Sequence, residues 1–347
     1  MDPIAAISTA PPCFSEAAAA QALASSFGLR GTLQPLLSER DQNFRVTTED
    51  DRVFVFKIAN RMESPVTADF QIRALLHVEG QRCPVATPVI QRTVSGGVSV
   101  QLLAGEIAHV SRVVSYLPGK LLSAVTISPQ LAANLGRCAA HLDLALAGFE
   151  HAGENQALLW DLQRADRLRE LLPFVTPPDL NAAVARCIDD FEARAKPMLR
   201  DLRQQVIHAD LHGDNVLVEA EDHDAVAGVI DFGDMLRAPV IMEVAIAAAY
   251  LRALEGDALR LIVPFVASFD EVMPLLDIEV ELLFDLVRAR LAASISILRW
   301  RAALRGADDE YSRDYMLGER SAETFLARLD ALGRDAFTQR MRSARQR

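Results

Sequence analysis

The spacing of apolar residues changes near Pro118-Gly119, and this change restricts the fold more than any other feature of the chain. Before it, short apolar segments alternate with polar turns, which is the pattern of antiparallel strands. After it, apolar residues recur at intervals of three and four, which is the pattern of amphipathic helices. The sequence therefore predicts an α+β fold in two lobes. A small β-rich lobe, residues 1–115, precedes a larger helical lobe, residues 116–347.

Individual elements can be placed in both lobes. Ser15 and Gly28 are residue types that begin and end helices, so a leading helix is expected between them. Strands are expected at LQPLL, FRVTT, VFVFKIA, ATPVIQ, GVSVQLL and HVSRVVSYL, with Gly96-Gly97 as a hairpin turn. Helices are expected over 65–80, 128–149, 157–172, 179–203 and most of the chain after Pro239, with short strands at 216–218 and 227–230.

Charge and composition argue against several classes of protein. The formal net charge of −11 disfavours binding to nucleic acid, which requires a basic surface. The longest apolar stretch, Ala238–Leu251, contains Glu243 and is too short to span a bilayer, so no membrane association is expected. The N-terminal residues lack a basic segment followed by a long apolar run, so no signal peptide is expected. The four cysteines form no CxxC pair, which favours reduced thiols and a cytoplasmic location.

The segment VIHADLHGDNVLV, residues 206–218, places titratable side chains between two strand-like apolar segments. Asp210 and Asn215 have the spacing H-x-D-x-x-x-x-N of a phosphotransferase catalytic loop. A carboxylate can orient an attacking hydroxyl and accept its proton, and an amide oxygen can ligate Mg²⁺ without adding negative charge. Gly213 is expected to permit the turn between them. The alternative is a loop whose side chains only cap the backbone.

A second motif, Gly228-Val-Ile-Asp-Phe-Gly-Asp234, follows the first at a short distance. A buried strand delivers Asp231 to its end, where the carboxylate is a hard oxygen ligand for the metal that bridges nucleotide phosphates. Gly233 lets the chain turn away. Each motif alone is weakly informative, but their combination in this order is specific.

Lys57 lies in the strand VFVFKIA. Alternation places Val53, Val55 and Lys57 on one face of this strand and the larger apolar residues on the other. The chain has three lysines, although lysine and arginine together number 36, so a lysine here suggests a need for a compact point charge. Nucleotide phosphates would supply its partner. The alternative is an edge-strand lysine whose ammonium reaches solvent.

These three features, in this order, resemble the aminoglycoside phosphotransferase and choline kinase-like family, from about Leu33 to about Leu304. The segments SERDQNFRV, ADFQIRALL and VIDFGDMLRAPVIMEVAIAAAYL resemble in particular its hydroxylysine kinase-like group. The resemblance implies a protein-kinase-like bilobal fold and a small-molecule kinase. It also implies ATP or GTP as phosphate donor and Mg²⁺ as cofactor.

The resemblance also implies roles for individual residues. Asp210 would be the catalytic base, Asn215 and Asp231 the magnesium ligands, and Lys57 the contact to the α- and β-phosphates. The loop Ser38–Phe44 would cover the nucleotide; because it lacks glycine, the implied contacts there are Ser38, Gln42 and Asn43. The hinge at Ser115–Leu117, in particular Ser115 and Leu117, would face the purine. Gln71 aligns best with the glutamate that pairs with the lysine in relatives, with Asp69 and Glu63 as neighbours.

Further residues surround the two motifs. His208 is expected to bond the backbone near Asp231, Ala209 replaces a frequent glycine, and Glu243 is expected to anchor the loop after Asp231. Three side chains are candidates for contact with the acceptor: His212, Asp214 and Asp234. An acceptor carboxylate could meet one of the arginines of a late helix: Arg288, Arg290 and Arg299.

The predicted partner is a hydroxylated amine or amino acid such as hydroxylysine or homoserine, and an aminoglycoside or choline stays possible. Fold resemblance does not fix the substrate. Two other functions remain open. One is a metallophosphoesterase, suggested by the D-x-H triplet at Asp210–His212; the other is a nucleotide-binding homologue without activity. The sequence gives no indication of oligomeric state.

Overall fold

The computed structural model describes residues 11–38, 40–305 and 310–345. Its N-terminal part is one antiparallel sheet with strands in the order β1-β2-β3-β6-β4, and β5 pairs with β6 beside β4. The six strands are β1 (Gly31–Leu36), β2 (Gln42–Thr48), β3 (Val53–Ile58), β4 (Ile90–Gln91), β5 (Val100–Ala104) and β6 (Ile107–Ser115). The predicted meander of the first three strands is confirmed.

Helix α1 (Glu16–Phe27) covers the outer face of this sheet. Ser15 caps its first turn, and Gly28 ends it in a left-handed conformation with φ of 67°. In β3, Phe54, Phe56 and Ile58 are buried against α1, while the alternate residues face the other way. The face predicted for Lys57 is therefore the one turned toward the second half of the chain.

The expected hairpin at Gly96-Gly97 is wrong. The chain does turn there, because the amide of Gly96 donates to the carbonyl of Thr93, but β4 and β5 do not pair with each other. Both lie along the same edge of the long strand β6, β5 at its beginning and β4 near its end. A pattern of two apolar segments around a glycine pair cannot distinguish these arrangements, because alternation along a strand does not specify which other strand it pairs with.

Helix α2 (Pro65–Gly80) connects β3 to β4, and the helical part of the chain follows β6. Its α-helices are α3 (Pro129–Leu146), α4 (Pro178–Asp190), α5 (Ile241–Tyr250), α6 (Ile262–Val272), α7 (Asp277–Arg305), α8 (Glu310–Leu332) and α9 (Arg334–Arg345). They enclose a large apolar core, which α3, α5, α6 and α7 dominate. This α+β, kinase-like layout agrees with the predicted fold class. The residue at which the two lobes divide stays a prediction.

Two of the predicted helices differ from the structure. Residues 162–174 form successive 3₁₀ turns rather than an α-helix, and Pro173 lies within them. The predicted helix 179–203 ends as an α-helix at Asp190 and continues as a π-turn and a 3₁₀ turn. Pro197 lies in this last segment, where a residue without an N–H cannot continue the helical hydrogen bonds.

Two small sheets hold the sequence motifs in place. Strand β8 (Gln204–Ile207) pairs with β11 (Leu236–Pro239), and β9 (Val216–Val218) lies between β7 (Lys120–Leu121) and β10 (Val226–Val229). Strands β8 and β9 enter and leave the first motif, and β10 and β11 enter and leave the second. The two motif loops are therefore neighbours in space.

In the part of the chain that the structure describes, no helix is long and apolar enough to cross a membrane. All four cysteines, Cys13, Cys83, Cys138 and Cys187, are present as free thiols.

Candidate active site

Asp210 and Asn215 face each other across the loop between β8 and β9. The amide nitrogen of Asn215 donates to Asp210 Oδ2 at 2.7 Å and to the Asp210 carbonyl at 3.0 Å. Because the two hydrogen-bonding ends of an amide point in different directions, the side-chain oxygen of Asn215 faces away from Asp210. This oxygen is the atom that the sequence assigns to a metal ion.

The Asp210 carboxylate lies between two cationic groups. His212 Nε2 is 3.3 Å from Oδ2, and Arg290 Nη2 is 3.3 Å from Oδ1. Burial acts to raise the pKa of Asp210, but His212 and Arg290 outweigh it and hold the pKa below its ordinary value. The group is therefore ionised over the physiological range, as a carboxylate that orients a hydroxyl must be.

Burial and a neighbouring charge act in opposite directions on the pKa of His212. Burial lowers its pKa and the Asp210 carboxylate raises it, and the carboxylate prevails. The main-chain amide of Asp214 lies 3.2 Å from Nδ1, which opposes a second ring proton. The full charge of the carboxylate outweighs this dipole, so the pKa of His212 lies above its ordinary value. The ring also packs at 5.2 Å from that of Tyr250.

Arg290, on α7, is the residue of this site that sequence reasoning misplaced. Its guanidinium stacks between the rings of Trp160 and Tyr250, at 4.8 and 5.6 Å, and donates to the Trp160 carbonyl. The Arg290 side chain is only 1% exposed, so it pairs with Asp210 and is not available to bind an acceptor carboxylate. The available signal was an arginine within the mainly apolar stretch LVRARLAASISIL, since a charge that becomes buried there requires a partner.

The other two arginines considered for an acceptor carboxylate are engaged elsewhere. Arg288 pairs with Asp190 and Asp330, and Arg299 pairs with Glu323 at 2.6 Å.

Glu243, on α5, holds the loop that precedes Asp210. Its Oε2 accepts from the amide of Ala209 at 2.9 Å, so the expected role after Asp231 is wrong. Ala209 has φ of 61°, a left-handed conformation that costs an alanine energy and a glycine none. Burial raises the pKa of Glu243 to about 7, although backbone hydrogen bonds act in the opposite direction.

The two motif loops are hydrogen-bonded to each other. His208 Nε2 donates to the carbonyl of Ile230 at 3.1 Å, and the Ile230 amide donates to the carbonyl of Asn215 at 2.9 Å. The predicted backbone contact of His208 is therefore confirmed. Burial lowers the pKa of His208, and its Nδ1 has no partner within the described residues. The ring is therefore neutral, with its proton on Nε2.

Lys57 meets Asp231 across the cleft between the sheet and the helical part. Its Nζ lies 3.6 Å from Asp231 Oδ1, and the amide of Gly233 donates to the same oxygen at 3.2 Å. The charge of Lys57 lowers the pKa of Asp231 more than burial raises it. Asp231 has φ of 59°, so the backbone is bent sharply where the carboxylate enters the cleft. The structure thus brings together the lysine and the two motifs.

The helix partner of Lys57 differs from the family pattern. Gln71 bonds Arg112 and Glu63 rather than Lys57. Arg112 lies opposite Lys57 in the β3–β6 pair and 3.4 Å from Glu63. Burial raises the pKa of Glu63, while the charges of Arg112 and Lys57 act in the opposite direction. Of the three residues considered as partners of Lys57, Glu63 is therefore the one whose carboxylate interacts electrostatically with the Lys57 charge. Asp69 instead contacts His151 and Arg73.

The three residues expected to contact the nucleotide from the segment Ser38–Phe44 do not all face the cleft. Asn43 lies opposite Lys57 in the β2–β3 pair, and its Oδ1 is buried without a partner in the described residues. Gln42 lies on the opposite face, where its amide both donates to and accepts from the backbone of Phe14. Ser38 accepts from the amide of Asp41 within the loop.

Asp214 and Asp234 also have protein partners. Asp214 Oδ1 accepts from Ser123 Oγ at 2.6 Å, and Asp234 Oδ1 accepts from Arg40 Nη2 at 2.7 Å. Gly213 does not need an unusual backbone conformation. Instead, a Cβ at this position would lie 2.9 Å from the Cβ of Ser123, so close packing explains the glycine.

The hinge expected at Ser115–Leu117 follows β6 directly. The hydroxyl of Ser115 accepts from the amide of Val89 at 2.9 Å. Gly228 of β10 packs beneath the hinge, because a Cβ there would lie 2.7 Å from the Ala86 carbonyl and 3.0 Å from Leu117 Cδ1. Strand β10, which leads to Asp231, is thereby fixed against the hinge.

The donor atoms fit a magnesium ion that is completed by phosphates. Asn215 presents its amide oxygen, and Asp231 is a carboxylate whose second oxygen is not used by Lys57 or Gly233. Within the described ranges no group of three or more His, Cys, Asp or Glu forms a metal cage. Mg²⁺ commonly binds one or two protein oxygens together with phosphates and water, whereas a two-metal phosphoesterase needs more ligands.

A kinase-like fold with an Asp–Asn catalytic loop and an Asp-Phe-Gly loop facing a strand lysine defines a phosphotransferase. The sequence profile of the phosphotransferase enzyme family matches residues 32–269, and the chain belongs to this family. It transfers phosphate to a hydroxyl group of a small molecule. The resemblance predicted from the sequence is thus confirmed.

Individual relatives extend over nearly the whole chain. It is 29% identical to mouse hydroxylysine kinase over 327 residues, which cover 87% of this chain and 86% of that protein. An amicoumacin kinase solved with AMP-PNP and Ca²⁺ has a TM-score of 0.69 at 16% identity, covering 91% of this chain and 94% of its own. A microcompartment-associated aminopropanol kinase has a TM-score of 0.69 at 17% identity, covering 95% and 98%. At these identities the two structures support the fold alone.

Proposed function

We propose that the protein transfers the γ-phosphate of ATP or GTP to the hydroxyl of a hydroxylated amino acid or amine, with hydroxylysine as the first candidate. The observation that carries this proposal is the arrangement of Asp210, Asn215, Asp231 and Lys57 around one cleft. The resemblance to hydroxylysine kinase over most of both chains favours the acceptor class.

The residues divide the reaction between them. Lys57 and the sheet would hold the nucleotide phosphates, and Asn215 and Asp231 would hold Mg²⁺, which neutralises phosphate charge when bound. Asp210 would hold the acceptor hydroxyl in line with the γ-phosphorus. The bond from that phosphorus to the bridging oxygen breaks, the bond to the acceptor oxygen forms, and the hydroxyl proton passes to Asp210.

The lowered pKa of Asp210 has a consequence for its role. A carboxylate that is a weak base in the resting site accepts the proton late, after the bond to the leaving group has weakened. Its main contribution is then orientation of the hydroxyl. His212 and Asp214 lie beside Asp210 and are proposed to contact the acceptor, and Asn43, Ser38, Ser115 and Leu117 to line the nucleotide site.

The direct test is a nucleotide-consumption screen with purified protein, Mg²⁺ and either ATP or GTP. Hydroxylysine, homoserine, amino alcohols and aminoglycosides serve as acceptors. We expect turnover with a hydroxylated amino acid, and mass spectrometry should show one added phosphate on it. Nucleotide binding without transfer to any acceptor would favour the inactive homologue instead. Hydrolysis of phosphate esters without nucleotide would favour a phosphoesterase.

The cytoplasmic location also stays a prediction.

A further inference from the structure

The loop between β1 and β2 carries an arginine that reaches the second motif. Arg40 Nη2 lies 2.7 Å from Asp234 Oδ1, so one ion pair joins the sheet to the helical part of the chain. The two residues are 194 positions apart in the sequence. The Arg40 side chain is 40% exposed, so the ion pair encloses it only in part, whereas the Asp234 side chain is 13% exposed.

The backbone of Arg40 is fixed to the end of the lysine strand. The side-chain Nδ2 of Asn60 donates to the main-chain carbonyl of Arg40 at 3.0 Å. The main-chain N–H of Asn60 donates to Asp41 Oδ1 at 3.0 Å. Asn60 itself is buried. Arg40 and Lys57 are therefore held on one structural unit, and their side chains extend toward the same loop.

Both cations lie close to Asp231, although only Lys57 pairs with it. Lys57 Nζ is 3.6 Å from Asp231 Oδ1, and a Cβ built on Gly233 would lie 3.1 Å from that oxygen and 3.6 Å from Arg40 Nη2. Two cations beside a candidate metal ligand form a suitable place for phosphate oxygens. A guanidinium can bind such oxygens with two parallel hydrogen bonds.

We propose that Arg40 binds the nucleotide phosphates and that Asp234 is the partner it gives up to do so. This inference rests on the proposed function and adds a phosphate contact to it. The loop has no glycine to bring backbone N–H groups near the phosphates, and Gln42 is turned toward Phe14. Arg40 supplies the missing donors. Asp234 competes with the phosphates for the guanidinium.

The test compares Arg40→Gln, Arg40→Lys and Asp234→Asn with the wild type in titrations with ATP, ADP and adenosine. The guanosine series replaces these if the wild type prefers GTP, and Mg²⁺ is omitted in one set. Arg40→Gln should raise the Kd for ATP about tenfold or more, ADP less, and adenosine not at all. Arg40→Lys should be intermediate. Arg52→Gln, which removes an exposed arginine paired with Asp50, is the matched control.

The second arm decides whether Asp234 competes. Without Mg²⁺, Asp234→Asn should lower the Kd for ATP several-fold in the wild-type background and leave it unchanged in Arg40→Gln. Equal weakening of ATP and adenosine by Arg40→Gln would show a structural role and overturn the inference. So would weaker ATP binding in Asp234→Asn under these conditions. A wild type that binds no nucleotide would overturn the proposed function, and this inference with it.

Discussion

Lys57 Nζ lies 3.6 Å from Asp231 Oδ1, although the two residues belong to different halves of the chain. The pair spans the cleft and sets a cation against a candidate metal ligand. Neither charge is deeply buried, because the Lys57 side chain is 15% exposed and that of Asp231 53% exposed. Phosphate and metal could therefore insert between them.

Replacing Lys57 with methionine should weaken nucleotide binding. The substitution preserves the apolar stem and removes one charge-assisted contact, which is worth about 1.5–3 kcal/mol. The Kd for ATP should rise about ten- to a hundred-fold, measured by titration with a fluorescent analogue. Lys120→Met is the matched control, because Lys120 is exposed and its ammonium lies 3.0 Å from His223 Nε2, outside the candidate site. An unchanged Kd in Lys57→Met would remove the lysine from the phosphate site.

Replacing Arg290 with methionine should destabilise the protein, because it leaves Asp210 ionised in a buried setting. Breaking a buried pair costs about 3–5 kcal/mol. In an Asp210→Asn background the same change should cost clearly less, since no carboxylate is left unpaired. Denaturant unfolding of all four proteins completes the cycle. Arg288→Met, which affects a different ion-pair group, should be additive with Asp210→Asn.

Replacing Gly213 with alanine should disturb the catalytic loop through Ser123. The added Cβ would lie 2.9 Å from the Ser123 Cβ, and overpacking of this kind costs about 1–3 kcal/mol. A fall in kcat should accompany the loss of stability, because the neighbouring Asp214 also bonds Ser123. Gly80→Ala, where a Cβ meets no atom within 4 Å, should leave both quantities nearly unchanged. Equal effects of the two substitutions would contradict this explanation.

The pH dependence of the free energy of unfolding should report the titration of the Glu243 carboxyl. Burial raises its pKa to about 7 from 4.5, so the folded state holds a proton that the unfolded state releases. The free energy of unfolding should therefore fall as pH rises from 4.5 through 7, by up to about 3 kcal/mol. In Glu243→Gln this slope should decrease. Asp143, whose pKa is also raised by burial, contributes a remaining slope of the same sign.

Denaturant unfolding of the wild type and of Glu243→Gln at intervals from pH 5 to pH 8 measures the difference between their slopes. Glu281→Gln, which removes an exposed carboxylate paired with Arg342, should keep the wild-type slope. A slope in Glu243→Gln equal to that of the wild type would show that the buried carboxyl does not titrate in this range.

Local patterns predicted most of the fold and the centre of the site. Alternation in β3 gave the face of Lys57, and the spacing of Asp210 and Asn215 gave a pair that the structure shows in hydrogen-bond contact. The same alternation would have turned Gln42 away from the cleft, since it shares a face with the buried Phe44.

Long-range partners were not predictable in this way. Arg290 meets Asp210 across 80 residues, and Arg40 meets Asp234 across 194. No periodicity specifies which of 36 cationic side chains will reach a given carboxylate, because packing of whole helices decides it. The 3₁₀ turns over 162–174 were missed for a related reason: apolar spacing of three fits both helix types.

The most direct test of the central claim is a single-turnover measurement with Asp210→Asn, ATP, Mg²⁺ and the acceptor found by screening. The wild type should transfer the γ-phosphate to the acceptor hydroxyl. The variant should still bind nucleotide with a Kd near that of the wild type, but transfer should be slower by about 10²–10⁴-fold. Transfer at the wild-type rate by Asp210→Asn would contradict the account, because the carboxylate at its centre would then have no part in the reaction.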